Sequence, residues 1–575
     1  MKILLIYPYC LEKRIHEEDV SVPPIGLYYV GAMLKAHGYD VEILNWHNMN
    51  REPEKMRQIL KEKRPGVVGL SLLHANRWGG IEVARIAKAV EPSVKVVFGG
   101  VGPTFLWRHF LRHFKEVDYV VVGEGELSFL ELVRCIEEGD NKGIEGIKGI
   151  AFRKRGEIVK TGPARAIDDL DRLPNPAEYF SYQHVSSTRG CPGNCSFCGS
   201  PTFWGRKVRF HSPEYFVRQL ELLYNRGISF FYFSDDTFTI RKARVIEICK
   251  KILERNLPIT WAAISRVNYV DEETLYWMRK SGCIQISYGV ESGSEKIREA
   301  LRKKIATSQI RKAFELTRKF GIMARGYFIY GSPGENWDTI QETIDLIREI
   351  KPLSIIFYIL DIFPGTGLYT DFIERTGATD DIWLEKIEDI MYFETDPGLS
   401  RDLILAFGER LRSAYYQSLS EFVEEIHLVD KEELYPMHAD FLSRLGMTFS
   451  HGDYAKIEAV GDRERIAEKL YLRALGYFPD HRAYLGLGII KQKAGAYGES
   501  IKVLSEGASH FPRSASLGIC LGISHMNLGQ FKEALSHLLR FQESPEALPH
   551  IVACYRALGD EEKASGFAMK LQALQ

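Results

Sequence analysis

Twice along its length this chain repeats one rhythm: a short apolar strand, a turn rich in Gly, Ser or acidic residues, then an amphipathic helix. The first run spans residues 1 to about 140 and the second 184 to about 370. Such alternation commits each run to a parallel sheet covered by helices. A parallel sheet gathers any site beyond the carboxyl ends of its strands. In the first run strands are expected at Lys2–Tyr7, Val41–Leu44, Gly66–Leu73, Val94–Phe98 and Tyr119–Val122. Helices are expected at Ile25–His37, Glu52–Lys63 and Gly80–Val90. The strand ends carry Ser71, Gly99, Gly100, Gly102, Gly123 and Gly125, which either admit a bulky ligand to the backbone or simply make tight turns. In the second run strands are expected at His184–Ser187, Phe230–Phe233, Ile259–Ile264, Ile284–Val290, Ala324–Tyr330 and Ile355–Leu360. Their polar and glycine ends suit a barrel or partial barrel with its site on that face. Residues 141–178 read as a connector, with a small hairpin at Ile150–Arg153 and Ile158–Lys160 before the breaker Leu173-Pro174-Asn175-Pro176.

The loop after the first strand of the second run holds Cys191, Cys195 and Cys198, spaced CxxxCxxC. Three thiolates so close can hold three irons of a cubane cluster and leave the fourth iron open to a substrate or cofactor. Zinc would need a fourth ligand, for which His184 and His211 flank the loop. The other six cysteines are scattered singly, which is no disulfide framework and points to a reducing compartment. With a net charge of -1 there is no global basic excess of the kind that nucleic-acid binders carry. No run of about 18 apolar residues is present, so no membrane span is expected. The short apolar N-terminus lacks a signal-peptide pattern and reads as a first strand of a cytoplasmic protein.

The last part of the chain reads as all helix and contains a repeat. Phe478-Pro479 recurs as Phe511-Pro512, and Gly488 and Gly495 recur 34 residues later as Gly522 and Gly529. A weaker third copy has Gly559 and Ala564. That period signals tetratricopeptide-like helical hairpins, which either offer a surface to a protein partner or brace the rest.

The full string Ser187-Thr188-Arg189-Gly190-Cys191-Pro192-x-x-Cys195-x-Phe197-Cys198 closely resembles the radical S-adenosylmethionine (radical SAM) superfamily. Pro23-Pro24-Ile25-Gly26-Leu27, Val68-Gly69-Leu70-Ser71, Val97-Phe98-Gly99-Gly100 and Gly123-Glu124-Gly125-Glu126 resemble the cobalamin-binding domain of one branch of it, as does the connector with Leu170-Asp171-Arg172-Leu173-Pro174. The resemblance implies an α/β fold: a doubly wound, Rossmann-like cobalamin domain over 1–140, the connector over 141–178, and a partial (β/α)6 TIM-like radical SAM core over 179–385. A helical extension over 386–460 and all-α tetratricopeptide-like repeats over 461–575 complete the expected organisation. It implies a 4Fe–4S cluster on Cys191, Cys195 and Cys198, whose open iron chelates S-adenosylmethionine for reductive cleavage to a 5′-deoxyadenosyl radical. The SAM-side positions would be Phe197, Ser234, Asp235, Asp236, Arg266, Glu291 and Gly331. The cobalamin side would be Pro24, Gly26, Ser71, Leu72, Gly99, Gly100, Gly102, Gly123, Glu124 and Gly125.

The cobalamin motif DxHxxG is missing after the first strand, where Cys10 and His16 stand in a loop without a ligating pattern. What the resemblance implies for activity is methylation of an unactivated carbon through methylcobalamin, or a non-methylating radical cyclisation or rearrangement. A methylthiotransferase would need three more N-terminal cysteines, whereas only Cys10 and Cys135 precede the loop. A repeat adaptor on a dead barrel would not need the cysteines intact. The expected partners are a small-molecule, lipid or peptide substrate, an electron donor such as flavodoxin or ferredoxin, and a protein on the repeats. No residue is assigned as a catalytic acid or base.

Overall fold

The computed structural model describes residues 1–11 and 21–574. The chain divides into two compact units. The first comprises Met1–Phe314, Ala324–Ile350 and Ser354–Leu411, and the second Glu315–Met323, Lys351–Leu353 and Arg412–Gln575.

The first unit opens with β1 (Lys2–Pro8), whose Ile-Leu-Leu-Ile run is fully buried. β2 (Asp40–Trp46), β3 (Val67–Ser71), β4 (Lys95–Gly99) and β5 (Tyr119–Val121) follow. The sheet runs in the order β2-β1-β3-β4-β5 and all of these strands are parallel. Ile3 lies opposite both Val41 and Val67. The order reverses between β1 and β3, where an open α/β sheet leaves a crevice at its carboxyl edge. Helices α1 (Ile25–Ala36), α2 (Pro53–Lys63), α3 (Arg77–Val90), α4 (Val101–His113) and α5 (Glu126–Glu138) connect the strands.

Helix α4 was not among the sequence expectations. Gly99, Gly100, Gly102 and Pro103 resemble a loop, but Pro103 stands in the first helical turn, where its missing N–H has no intrahelical use. A non-helical Leu106 (φ −111°, ψ 21°) then interrupts the periodicity. The hairpin read as part of a connector is β6 (Ile150–Lys154) and β7 (Glu157–Lys160), and it extends the same sheet antiparallel from β5. From β6, Arg153 donates to the carbonyls of Leu111, Lys115 and Val117 at 2.6, 3.0 and 2.6 Å, so a cation stands at the carboxyl end of α4.

Six strands then form the partial barrel: β8 (His184–Val185), β11 (Phe230–Phe233), β12 (Thr260–Ser265), β13 (Cys283–Glu291), β14 (Met323–Tyr330) and β15 (Ser354–Ile359). Their spatial order is β15-β14-β13-β12-β11-β8. Between β8 and β11 lies a two-stranded ribbon, β9 (Thr188–Arg189) and β10 (Arg209–Phe210), that frames the cysteine loop. Its boundary with the next helix, Pro213–Tyr224, is fixed by Pro213 at N1 and by the Ser212 hydroxyl, which accepts from Tyr215 N at 3.1 Å.

The second unit is helical. Arg463–Tyr477, His481–Lys493, Tyr497–His510, Ala515–Asn527, Phe531–Leu538, Leu548–Ala557 and Glu561–Ala573 succeed one another. Asp480 and Ser514, 34 residues apart, cap equivalent helices. A Cβ on Gly488 would stand 2.4 Å from Leu504, and one on Gly522 2.6 Å from Leu538, the same close contact one repeat on. Gly495 and Gly529 turn the chain at φ 72° and 73°. Among the described residues no helix is long and apolar enough to cross a membrane.

Candidate active site

Cys191, Cys195 and Cys198 sit half-buried in the loop leaving β9, just before a short helix, Ser200–Trp204. Gly193 N donates to Cys191 Sγ at 3.4 Å, and Thr237 Oγ1 lies 3.7 Å from the same sulfur. Burial pushes the Cys198 thiol up to about 11, with Asp236, Cys195 and Cys191 adding to it against the backbone of Ser200. A bound cation reverses that preference. Arg266 Nη1 stands 3.8 Å from Cys195 Sγ, a fixed positive charge beside the donor set. Among the described residues the three sulfurs are not all within 4.8 Å of one another. Thiolates on one tetrahedral zinc would be about 3.8 Å apart. The open spacing and the all-thiol donors fit a cubane better than a single ion. The two histidines that could have completed a zinc site are engaged elsewhere. His184 Nδ1 meets Ser234 Oγ at 3.0 Å, while His211 spends both nitrogens on Tyr29 OH (2.9 Å) and Asp171 Oδ1 (3.1 Å).

The residues expected on the SAM side take different roles. Phe197 is half-buried against the core. Ser234 closes β11 and holds His184. Asp235 is buried and turns inward: its Oδ1 accepts from Ser187 N and Ser187 Oγ, each at 3.0 Å, and from Thr188 Oγ1. That carboxylate therefore shapes the strand entering the cysteine loop. Asp236 is exposed and accepts from Ser200 Oγ at 2.7 Å, just beyond Cys198. Glu291 takes a left-handed backbone (φ 69°) and pairs with buried Lys303 at 2.6 Å. Gly331 turns at φ 80°, and its N–H and that of Ser332 both donate to Glu335. Burial pushes the Glu335 carboxyl up to about 7, against the pull of those two N–H groups.

At the carboxyl edge of the first sheet lies a cavity of about 220 Å³. Pro24, Gly26, Ser71, Leu72, Gly99, Gly100, Gly123, Glu124 and Gly125 line it, together with Leu5, Val30, Val97, Val121 and Phe129. Gly102 is not among the lining residues. A Cβ there would stand 2.8 Å from Leu73 O, so it serves the close approach of α4 to the end of β3. A Cβ on Gly26, Gly99, Gly123 or Gly125 would meet no protein atom nearer than 3.4 Å. The space is kept open by missing side chains, a floor fitted to a flat, bulky group such as a corrin. Among the described residues no His, Cys or Met lines it. Cys10 follows β1 outside the lining, and His16 lies outside the described residues.

Two lining residues come from the barrel: Phe203 and Trp204, in the helix directly after the cysteines. Beside them four charges are buried together. Arg189, two residues before Cys191, meets Glu124 at 2.9 Å and also Glu126, while Arg209 meets Glu124 at 2.5 Å. Their side chains are only 4 to 9% exposed. Burial alone would push the Arg189 guanidinium down, but Glu126 and Glu124 outweigh it and hold it above its ordinary value. Tyr29 and Trp204 each place a ring 5.2 Å from the same guanidinium. The cavity wall and the cysteine loop are thus joined by one neutralised ionic cluster. Neither Phe203, Trp204 nor Arg209 stood out in the sequence, and Arg189 did so only as part of the cysteine-loop string.

The comparisons agree with this arrangement. The model of the radical SAM superfamily matches residues 185–347, and that of the B12 binding domain residues 17–133. An uncharacterized methyltransferase of Pyrococcus horikoshii is 33% identical over 381 residues, covering 64% of this chain and 82% of that protein. An anaerobic magnesium-protoporphyrin IX monomethyl ester cyclase of Rubrivivax gelatinosus is 28% identical, covering 66% of this chain and 71% of that protein. In fold, the chain is similar to the radical SAM methyltransferase TsrM of Kitasatospora setae, solved with cobalamin and a [4Fe-4S] cluster. The TM-score is 0.60 at 18% identity, over 82% of this chain and 99% of that one.

Proposed function

This chain belongs to the cobalamin-dependent radical SAM enzymes, and on that premise we propose that it methylates an unactivated carbon of a small-molecule, lipid or peptide substrate, with S-adenosylmethionine as the methyl source. The observation that carries the reading is the glycine-floored cavity whose wall, through Trp204 and the Glu124–Arg189 pair, is continuous with the three-cysteine loop. When bound, the cluster supplies the electron for reductive cleavage of S-adenosylmethionine, and cobalamin carries a methyl group to carbon.

The chain's own residues do the rest. Cys191, Cys195 and Cys198 would hold three irons and leave the fourth open. Arg266 would offset negative charge beside Cys195. Glu335 holds the Gly331 turn, and Asp235 holds Ser187 and Thr188, so the strand ends around the loop are rigid before any cofactor arrives. Gly26, Gly99, Gly123 and Gly125 would let a corrin lie on backbone, and among the described residues the lining offers cobalt neither imidazole nor thiolate. The spectrum of the cobalamin-loaded protein is therefore expected to be the same in wild type and Cys10→Ala. A single-electron donor of the flavodoxin or ferredoxin kind, a partner on the helical repeats and a reducing cytoplasm belong to the same reading. The nine free cysteines support the last of these.

Incubation of the anaerobically reconstituted enzyme with methyl-deuterated S-adenosylmethionine tests methylation: the product should gain the label. Turnover to an unlabelled product would overturn it. That outcome would favour a non-methylating cyclisation, the reading that likeness to the Rubrivivax cyclase supports.

A further inference from the structure

The structure also holds a cluster of metal-ligating side chains that the cofactors above do not use. His109 and His113 lie one turn apart on α4, and Asp381 lies on the 3-10 turn Asp380–Leu384. One ligand atom from each falls within 4.8 Å of the other two, and His113 Nε2 is 2.8 Å from Asp381 Oδ1. His109 supplies an independent sign. It is 3% exposed, and both of its ring nitrogens are buried without a hydrogen-bond partner. Shutting an imidazole away with both nitrogens unbonded costs free energy that a ligand would recover. The ring is held among Phe110, His113 and Phe114, with centroids at 5.8, 5.0 and 5.8 Å.

We infer that His109, His113 and Asp381 form a site for a divalent transition-metal ion, with zinc the closest match to two imidazoles and one carboxylate. Ligands on a tetrahedral zinc stand roughly 3.4 Å apart, so side-chain adjustment within the observed cluster suffices. Arg77 and Arg112 act on His109 with the same sign as a cation would, which makes the Asp381 carboxylate indispensable. Asp381 is 52% exposed, so the fourth position faces solvent and takes water. Helix α4 starts at the cavity floor, after Gly99 and Gly100, and Asp381 belongs to the segment that follows the last barrel strand. Such an ion would pin that helix, and with it one wall of the cavity.

The test uses the full chain with Cys191, Cys195 and Cys198 all changed to Ala, so that zinc cannot lodge on the cluster thiolates. It is loaded with zinc chloride, desalted and measured for metal content, alongside melting curves with and without zinc. About one zinc per chain and a zinc-dependent rise in Tm are expected. Both should fall when Asp381→Asn is added, with affinity dropping more than about tenfold. Asp381 is exposed, so this variant folds even if His109→Gln does not. Failure to retain zinc overturns the site, as does zinc retained undiminished in the Asp381→Asn variant.

Discussion

Arg189 spends its guanidinium on two carboxylates from the other sheet of its unit, and it does so two residues before the first cluster cysteine. Removing one member of a buried ionic group leaves its partners charged and unpaired, which costs about 3–5 kcal/mol. Arg189→Met is therefore expected to lower Tm markedly and to lose cobalamin on gel filtration, because Glu126 is then left buried without its partner while Glu124 keeps only Arg209. Arg189→Lys keeps the charge but cannot fork onto both carboxylates, so it should fall between wild type and Arg189→Met. Glu335 offers a second test. Its buried carboxyl is pushed up to about 7 from an ordinary 4.5, so the fold prefers it protonated. That contribution is present below about pH 4.5 and is lost as pH rises through about 7. Melting curves between pH 5 and 8, on the scale of a carboxyl shifted to about 7, should fall more steeply for wild type than for Glu335→Gln, whose amide oxygen still accepts from Gly331 and Ser332. The cysteines were legible because their chemistry is local to an eight-residue window. The Glu124–Arg189 pair was not, since 65 positions separate its members and only the docking of two sheets brings them together.

At the scale of elements, glycine carries two different burdens that spacing alone does not separate. Gly26 lies in the first turn of α1, where a Cβ would meet nothing within 4 Å of protein, yet it lines the cavity. Gly26→Ala should leave stability unchanged, or raise it by up to ~1 kcal/mol through helix propensity, while weakening cobalamin binding. Gly100 has φ 96°, and a Cβ there would press to 2.8 Å from Leu72 O. Gly100→Ala should therefore cost about 1–3 kcal/mol and lose cobalamin as well. Melting curves and cobalamin titrations on the two variants separate a ligand-facing glycine from a backbone-forced one. The strand–helix rhythm of the first sheet was readable because each buried parallel strand is a short unbroken apolar run. Helix α4 was not, since Pro103, the irregular Leu106 and a mixture of His, Arg, Phe and Trp blur its period. The hairpin β6–β7 was read correctly as a hairpin, but its place on the sheet depends on pairings such as Tyr119 with Phe152.

At the scale of the whole molecule, the second unit is not a simple C-terminal appendage, because it claims two short segments from within the barrel sequence, Glu315–Met323 and Lys351–Leu353. Within that unit, Tyr454 OH donates to Leu353 O at 2.6 Å, Lys351 pairs with Glu425, and His438 packs against Gly321. All three partners lie before residue 460. Cutting the chain after 460 removes the repeats but leaves these ties, at the cost of the Tyr471 ring that packs on Gly446 and bonds Ser450 at 2.8 Å. Cutting after 411 removes every one of them and leaves 315–323 and 351–353 without the helices that cover them. The shorter truncation should therefore stay soluble, with wild-type iron content after reconstitution and a modestly lower Tm, whereas the longer one should aggregate. If the chain cut after 460 also retains full turnover, the repeats brace the protein, and the chemistry belongs to the first unit alone. If it keeps its iron but loses turnover, the repeats deliver the substrate, and that split between cluster content and activity is the measurement that tells the two apart.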